Sequence, residues 1–412
     1  MATAALPLPR EKKHKASRIW WRIHQWVGLK LAILMSFICL TGTLAVVSQE
    51  MDWLMLPSLR VAPASVAAGE PDWSRMVASA TAYPGVERVQ VLTDPTASAF
   101  AAKAMVVWQD KSIGYLHLHP TTGAVQGEGH WVNAARILRN MHRHLNLPGN
   151  IGIPLVTSLS FLLLISLITS FVVYKKWWRG FLKAPRGRDA RTWWGDFHRL
   201  TGVWALWFLA LITATGLWYF VEQMGGRADV PRVKEIASFS PAPDETGRHF
   251  SAALAAARRV DPDLRIQSIR FPTEKSGAYV FEGEKTAVLV RPRANAVWVE
   301  AATGKVLAKF DGTDLDLHQR ISEMADPLHF GYFGGYWTKA IWVLFGGLLT
   351  ALSVSGMAIY ALRIGRELRQ ATPFRLGWQR AWEGMGYWRW VATICVFIGL
   401  ALMPTLFWAS AE

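Results

Sequence analysis

Five apolar runs punctuate the chain, at about 26–48, 151–174, 200–221, 340–362 and 388–410. Each is long enough to cross a bilayer, which takes about 20 residues. The first is too long for a signal peptide, and no small-residue cleavage site follows it. Two long stretches separate the runs, over 49–141 and 222–328, and their pattern is different. A helical period near 73–82 precedes strand-like segments near 87–93 and 103–109. The same order returns near 247–260, 265–271 and 278–283. Tyr115–Val125 then aligns with Val297–Leu307, each an alternating strand that ends in a Thr-Gly turn. Each stretch therefore predicts a small α+β unit.

The plan of span, α+β unit, span is written twice. His24 and His198 open the first and third runs, each with a glycine four residues on, Gly28 and Gly202. Each run closes on a Thr-Gly pair, and His24 to Gly42 is 18 residues, as is His198 to Gly216. His142 and His329 precede the second and fourth runs, in juxtamembrane stretches that widen those elements to 142–174 and 329–362. His142 to Ser170 is 28 residues and His329 to Gly356 is 27; serine stands here where the other three runs have glycine. Internal repetition predicts a pseudo-symmetric arrangement. The expected fold is a mainly α membrane protein: a duplicated bundle of four core spans, with two small α+β domains on one side. The run at 388–410 has no counterpart and reads as a peripheral fifth span.

Charge divides the two sides. Segments 1–30, 175–199 and 363–389 hold 21 Lys/Arg against five Asp/Glu, which accounts for the whole net charge of +15. Basic residues concentrate in cytoplasmic loops. The tail over 1–25 and the loops over 175–199 and 363–387 are then inside, both α+β domains are periplasmic, and the C-terminus is outside. The tail, with Lys12, Lys13, His14 and Lys15, reads as unstructured and suited to anionic lipid. Charge that follows topology this closely excludes nucleic acid as the partner. The two cysteines, Cys39 and Cys395, both fall inside spans and imply no disulfide framework.

Ionisable groups in or beside spans are costly and usually functional or paired. Histidines recurring at both ends of a membrane bundle suit axial ligation of haem. His24 and His198 fall at one level, where Gly28 and Gly202 leave room for a flat macrocycle. Arg22 and Arg199 are placed to pair with its propionates. At the other end the run Ala134–Leu145 is amphipathic. His142 lies within its apolar arc and His144 at the edge, so His142 is the expected partner of His329. His117 and His119 share a strand face but lack equivalents in the second half. No Cys-x-x-Cys-His, P-loop, dinucleotide fingerprint or His-Glu-x-x-His is present. Any haem is therefore b-type, and the chain brings no nicotinamide or flavin site.

These motifs, His-x-x-x-Gly opening a span, Thr-Gly closing it, then Met-His142-Arg and Pro-Leu-His329-Phe-Gly, resemble the PepSY-associated transmembrane helix family over about residues 17–365. The resemblance implies PepSY-type periplasmic domains. It also implies an inner-membrane ferric-siderophore reductase with two b-type haems, ligated by His24 and His198 inside and by His142 and His329 outside. The catalytic groups, the siderophore and the electron donor, whether a quinol or a cytoplasmic reductase, are not readable. Two other classes remain open: a haem-free permease for siderophore or iron, and a scaffold that binds a periplasmic protein.

Overall fold

The computed structural model describes residues 11–62, 70–95, 97–233, 236, 239, 246–273, 276–367 and 374–408. The helices are α1 (Glu11–Lys30), α2 (Ala32–Val46), α3 (Ser48–Met55), α4 (Trp73–Thr81), α5 (Ala134–His144), α6 (Gly149–Val173), α7 (Ala190–Val221), α8 (Thr246–Val260), α9 (Leu317–Phe330), α10 (Gly335–Glu367), α11 (Phe374–Gly384) and α12 (Trp388–Ala401). The strands are β1 (Val86–Thr93), β2 (Ala102–Trp108), β3 (Ile113–Leu118), β4 (Val125–His130), β5 (Arg265–Arg270), β6 (Ala278–Glu284), β7 (Ala296–Glu300) and β8 (Val306–Phe310). They sort into two compact units, one of residues 1–46, 139–225 and 336–402, the other of 47–138, 226–335 and 403–412.

The first unit is helical. Among the described residues four helices are long and apolar enough to cross a membrane: Gly149–Val173, Ala190–Gly226, Gly335–Arg363 and Trp388–Phe407. The first apolar run of the sequence is two helices bent by 66°, Arg18–Lys30 and Ala32–Val46, which make a fifth span if taken together. Helix α1 reaches back to Glu11, so the segment 12–15 that the sequence reads as unstructured is helical, while residues 1–10 of the tail lie outside the described residues. Large apolar side chains such as Phe161, Ile168, Phe171, Ile394 and Phe397 point outward, as expected where the solvent is lipid. With no hydrophobic force between helices in lipid, close approach and polar contacts hold them. Ser36 Oγ donates to Ser353 Oγ at 2.8 Å, and Ser353 Oγ lies 3.2 Å from the Ala32 carbonyl. Lys30, inside an apolar stretch, donates to the Gly384 carbonyl at the end of α11, where the helix dipole favours a cation.

The second unit is built on one eight-stranded antiparallel sheet in the order β4-β3-β2-β1-β5-β6-β7-β8. The sequence predicts two separate α+β units; the structure merges them. β1 pairs with β5 through Val91–Arg270, Leu92–Ile269 and Thr93–Ser268. Two four-stranded sheets would each expose an edge here, and edges invite unwanted pairing. Joining them removes both. Helices α4 and α8, at equivalent places before each set of strands, bury Trp73, Met76, Val77 and Phe250, Ala253, Leu254 against one face of this sheet. β4 and β8, the strands after the two Thr-Gly turns, are additions to the sequence reading. The pairing also places both predicted domains on one side of any membrane, because they share a sheet.

Candidate functional site

In the helical unit, His24 on α1 and His198 on α7 face each other, with ring centroids 6.4 Å apart and planes at 79°. Two imidazoles on opposite sides of one metal ion, with metal–nitrogen bonds of about 2.0 Å, place their centroids roughly 6 Å apart. The rings are not free to turn. His24 Nδ1 lies 2.8 Å from Thr169 Oγ1, and that hydroxyl donates to the Ile165 carbonyl at 2.7 Å. A hydroxyl has one proton, so it accepts from His24, and we assign the proton to Nδ1. His198 Nδ1 lies 2.8 Å from Ser355 Oγ, which donates to the Leu352 carbonyl at 3.0 Å. The same assignment follows. In both rings Nε2 then keeps its lone pair, as a metal ligand must.

Both histidines line a cavity of about 450 Å³ between α1, α2, α6, α7 and α10, within the range of small-molecule sites. Its walls are mostly apolar. Gly28, Gly202, Gly356 and Ser170, one from each wall helix of the predicted repeat, all line it. A Cβ added at Gly28 meets nothing within 4 Å; at Gly202 the nearest atom is Leu352 Cδ2 at 3.6 Å, and at Gly356 it is His198 Cε1 at 3.9 Å. Missing side chains thus leave open volume beside the imidazoles.

Of the two arginines assigned to this site, Arg199 lines the cavity and Arg22 does not; Arg22 is exposed. Arg199 Nη1 pairs with buried Asp196 at 2.9 Å, and Arg186 pairs with the same carboxylate at 2.7 Å. Two cations on one carboxylate leave a net positive charge. Arg199 Nε is buried with no hydrogen-bond partner among the described residues. Arg363 also lines the cavity, with its guanidinium over the Trp21 ring at 4.6 Å.

His142 sits in the last turn of α5. Its Nδ1–H donates to the Ile38 carbonyl of α2 at 2.8 Å. Its ring rests where Gly42 has no side chain: a Cβ there would stand 2.5 Å from His142 Cε1. Burial lowers the His142 pKa, which favours the neutral imidazole. His144 turns elsewhere, with its Cβ and carbonyl against Gly152 of α6. His329 lies in α9, next to the Phe330 ring, in the sheet-containing unit, whereas His142 belongs to the helical unit. Helix α9 is anchored by buried Glu323, which takes Arg291 at 2.7 Å and Arg293 at 2.8 Å, while Asp326, one turn before His329, takes Arg291 at 3.2 Å.

Four further histidines have local partners. Buried His117 bonds Ser58 Oγ through Nδ1 at 2.8 Å, and burial lowers its pKa to about 4. His119 Nδ1 accepts from the backbone N–H groups of Thr121 and Thr122, closing the Thr-Gly turn. His249 donates to the Ala301 carbonyl, and His318 to that of Gly226. Among the described residues no cluster of three or more His, Cys, Asp or Glu side chains has metal-site geometry.

Thr169 and Ser355 are the site residues that sequence reasoning missed. A signal was present: each directly precedes a matched position, Ser170 and Gly356. A comparison with family models matches residues 21–363 to the PepSY-associated TM region. No curated protein matches the chain.

Proposed function

We propose that this chain, which belongs to the PepSY-associated TM region family, is an inner-membrane di-haem electron-transfer protein that reduces ferric siderophore on the periplasmic side and so frees ferrous iron. The observation that carries the reading is the His24–His198 pair: two imidazoles 6.4 Å apart across an apolar cavity, each fixed through Nδ1. The residues present fit a b-type haem. His24 and His198 would hold its iron through Nε2, and Arg199 would pair with a propionate, while Gly28, Gly202 and Gly356 leave the space. Bis-histidine haem iron supplies reversible one-electron chemistry in an otherwise insulating bilayer.

The protein's own groups do the rest. Thr169 and Ser355 orient the imidazoles and hold their protons on Nδ1. The apolar walls exclude water and so stabilise the less charged redox state. His142 and His329 are the proposed ligands of a second b haem toward the periplasmic face. The substrate logic is independent of the fold: ferric iron is held by hard oxygen donors, and reduction weakens that hold. Electrons arrive from a donor outside this chain, a quinol or a cytoplasmic reductase. With the basic segments inside, the N-terminus is cytoplasmic and the sheet unit periplasmic.

The test is a reduced-minus-oxidised spectrum of purified wild type and four single variants. His24→Ala and His198→Ala should lose one and the same haem, and His142→Ala and His329→Ala the other. Purified protein without a Soret band would defeat the reading. Transport into vesicles with no redox change would favour a permease. Capture of a periplasmic protein that is indifferent to all four variants would favour a scaffold.

A further inference from the structure

The last span has no counterpart in the first half of the chain, and the reading above gives it no task. Its helix α12 turns a large apolar face outward, with Trp390, Ile394, Phe397 and Leu400 exposed. The opposite face is small: Ala392 and Gly399, seven residues apart, are buried. Ala392 packs in one cluster with Leu34 and Ile38 of α2, Val156 and Leu159 of α6, and Leu145. A Cβ added at Gly399 would stand 3.1 Å from the Leu145 carbonyl oxygen and 3.3 Å from the Leu145 Cβ.

Leu145 and Asn146 form the turn between α5 and α6, and both hold left-handed φ angles, 54° and 55°. Such angles disfavour L side chains, and leucine has no local hydrogen bond to offset the cost. Two in succession persist only where the surroundings impose them. The surroundings here are identifiable. Leu145 is fully buried. Asn146 Nδ2 donates to the Gly399 carbonyl at 2.9 Å and lies 3.1 Å from Met141 Sδ. Gly399 is in the last turn of α12, where carbonyls lack partners within the helix.

His142 lies three residues before Leu145. Its two anchors, the Ile38 carbonyl and the notch at Gly42, are on α2, the helix against which α12 also packs. We infer that the fifth span is a positioning element: α12 holds the Leu145–Asn146 turn in its left-handed form and thereby fixes the imidazole of His142. This rests on the reading of His142 as a haem ligand. It gives the unmatched span a task that the matched spans do not need.

The test uses the full-length protein in detergent, with Gly399→Leu, Asn146→Ala and, on the outward face, Phe397→Ala. Two readouts are taken: the low-spin haem signals by electron paramagnetic resonance, and amide hydrogen exchange over residues 139–147. Gly399→Leu and Asn146→Ala should shift or abolish the signal that His142→Ala abolishes. They should leave the signal that depends on His198, and raise exchange over 139–147 at least tenfold. Phe397→Ala should change neither readout. Unchanged signals and exchange in Gly399→Leu would overturn the inference, as would equal loss of both haem signals, which marks general support. Haem-free wild type would overturn the functional reading instead. In that case exchange alone decides: faster exchange in the two variants supports positioning, and unchanged exchange rejects it.

Discussion

Thr169 and Ser355 decide which nitrogen of each inner imidazole faces the cavity. Replacing either hydroxyl, as in Thr169→Val or Ser355→Ala, keeps the ligand but removes the acceptor of its Nδ1–H. Loss of such an outer partner typically weakens metal affinity about 10–100-fold, so on the haem reading proposed above a haem titration of each variant should show a drop of that order. Gly42 is a second sensitive residue. Gly42→Ala puts a methyl 2.5 Å from His142 Cε1. It should cost about 1–3 kcal/mol of stability by overpacking, read by thermal unfolding, and perturb the haem signal proposed for His142. The sequence marked His24, His198, Gly28, Gly202 and Gly356, which line one cavity, because duplication repeats such positions at fixed spacing. It hid Thr169 and Ser355 because their partners lie 145 and 157 residues away, on other helices. Arg22 and Arg199 looked equivalent by proximity to a histidine. They differ because Arg22 precedes His24 by two residues, which turns it about 160° from the imidazole, whereas Arg199 follows His198 by one and is turned about 100°.

Helix α5 is held from outside its own sequence neighbourhood. Asp52 of α3 accepts from the first backbone N–H groups of α5, Ala134 at 2.7 Å and Ala135 at 3.3 Å, as a long-range N-cap. Asp52→Ala should destabilise by about 1 kcal/mol, the usual value of a lost cap, with Asp52→Asn closer to wild type in melting temperature. At the seam of the sheet, burial raises the Asp94 pKa from 3.8 to about 6. An aspartate that binds its proton more readily when folded gives stability that is fully present below pH 3.8 and is lost as pH rises through about 6. Melting temperature should therefore fall between about pH 4 and 6. Asp94→Asn should flatten that fall and add at most about 3 kcal/mol at neutral pH. Helices α4 and α8 and six of the eight strands were readable from alternation. β4 was not, because Gln126-Gly-Glu-Gly129 carries no apolar alternation, and an edge strand with one neighbour has no need of it. The bend between α1 and α2 was also invisible, since apart from Lys30 the apolar run continues through it from Val27 to Leu34.

At the scale of the molecule, the basic segments and the sheet unit are predicted to lie on opposite sides of the bilayer. An impermeant thiol reagent added outside intact cells should label Asp110→Cys and Ala302→Cys, but not Gly187→Cys in the basic loop. The reverse labelling would overturn the orientation. Five apolar runs were legible because span length depends on local composition, and the structure has four such helices, or five with the bent pair α1 and α2, among the described residues; the sense of the spans is the charge map's prediction. That the two α+β segments share a sheet could not be read, since the β1–β5 pairing is set by which edges are left open once each half has folded.

That seam also orders events in time. Leu92 pairs with Ile269, so one side of the join is made 177 residues before the other. At about 5–20 residues per second, β1 waits roughly 10–35 s for its neighbour while α6 and α7 enter the bilayer. During that interval a newborn half-sheet presents an unsatisfied rim, and unpaired rims aggregate. The first half of the chain therefore needs shelter until the second arrives. Synthesis stopped after residue 225 should yield a product that is captured by chaperones or degraded, although all its own strands are present.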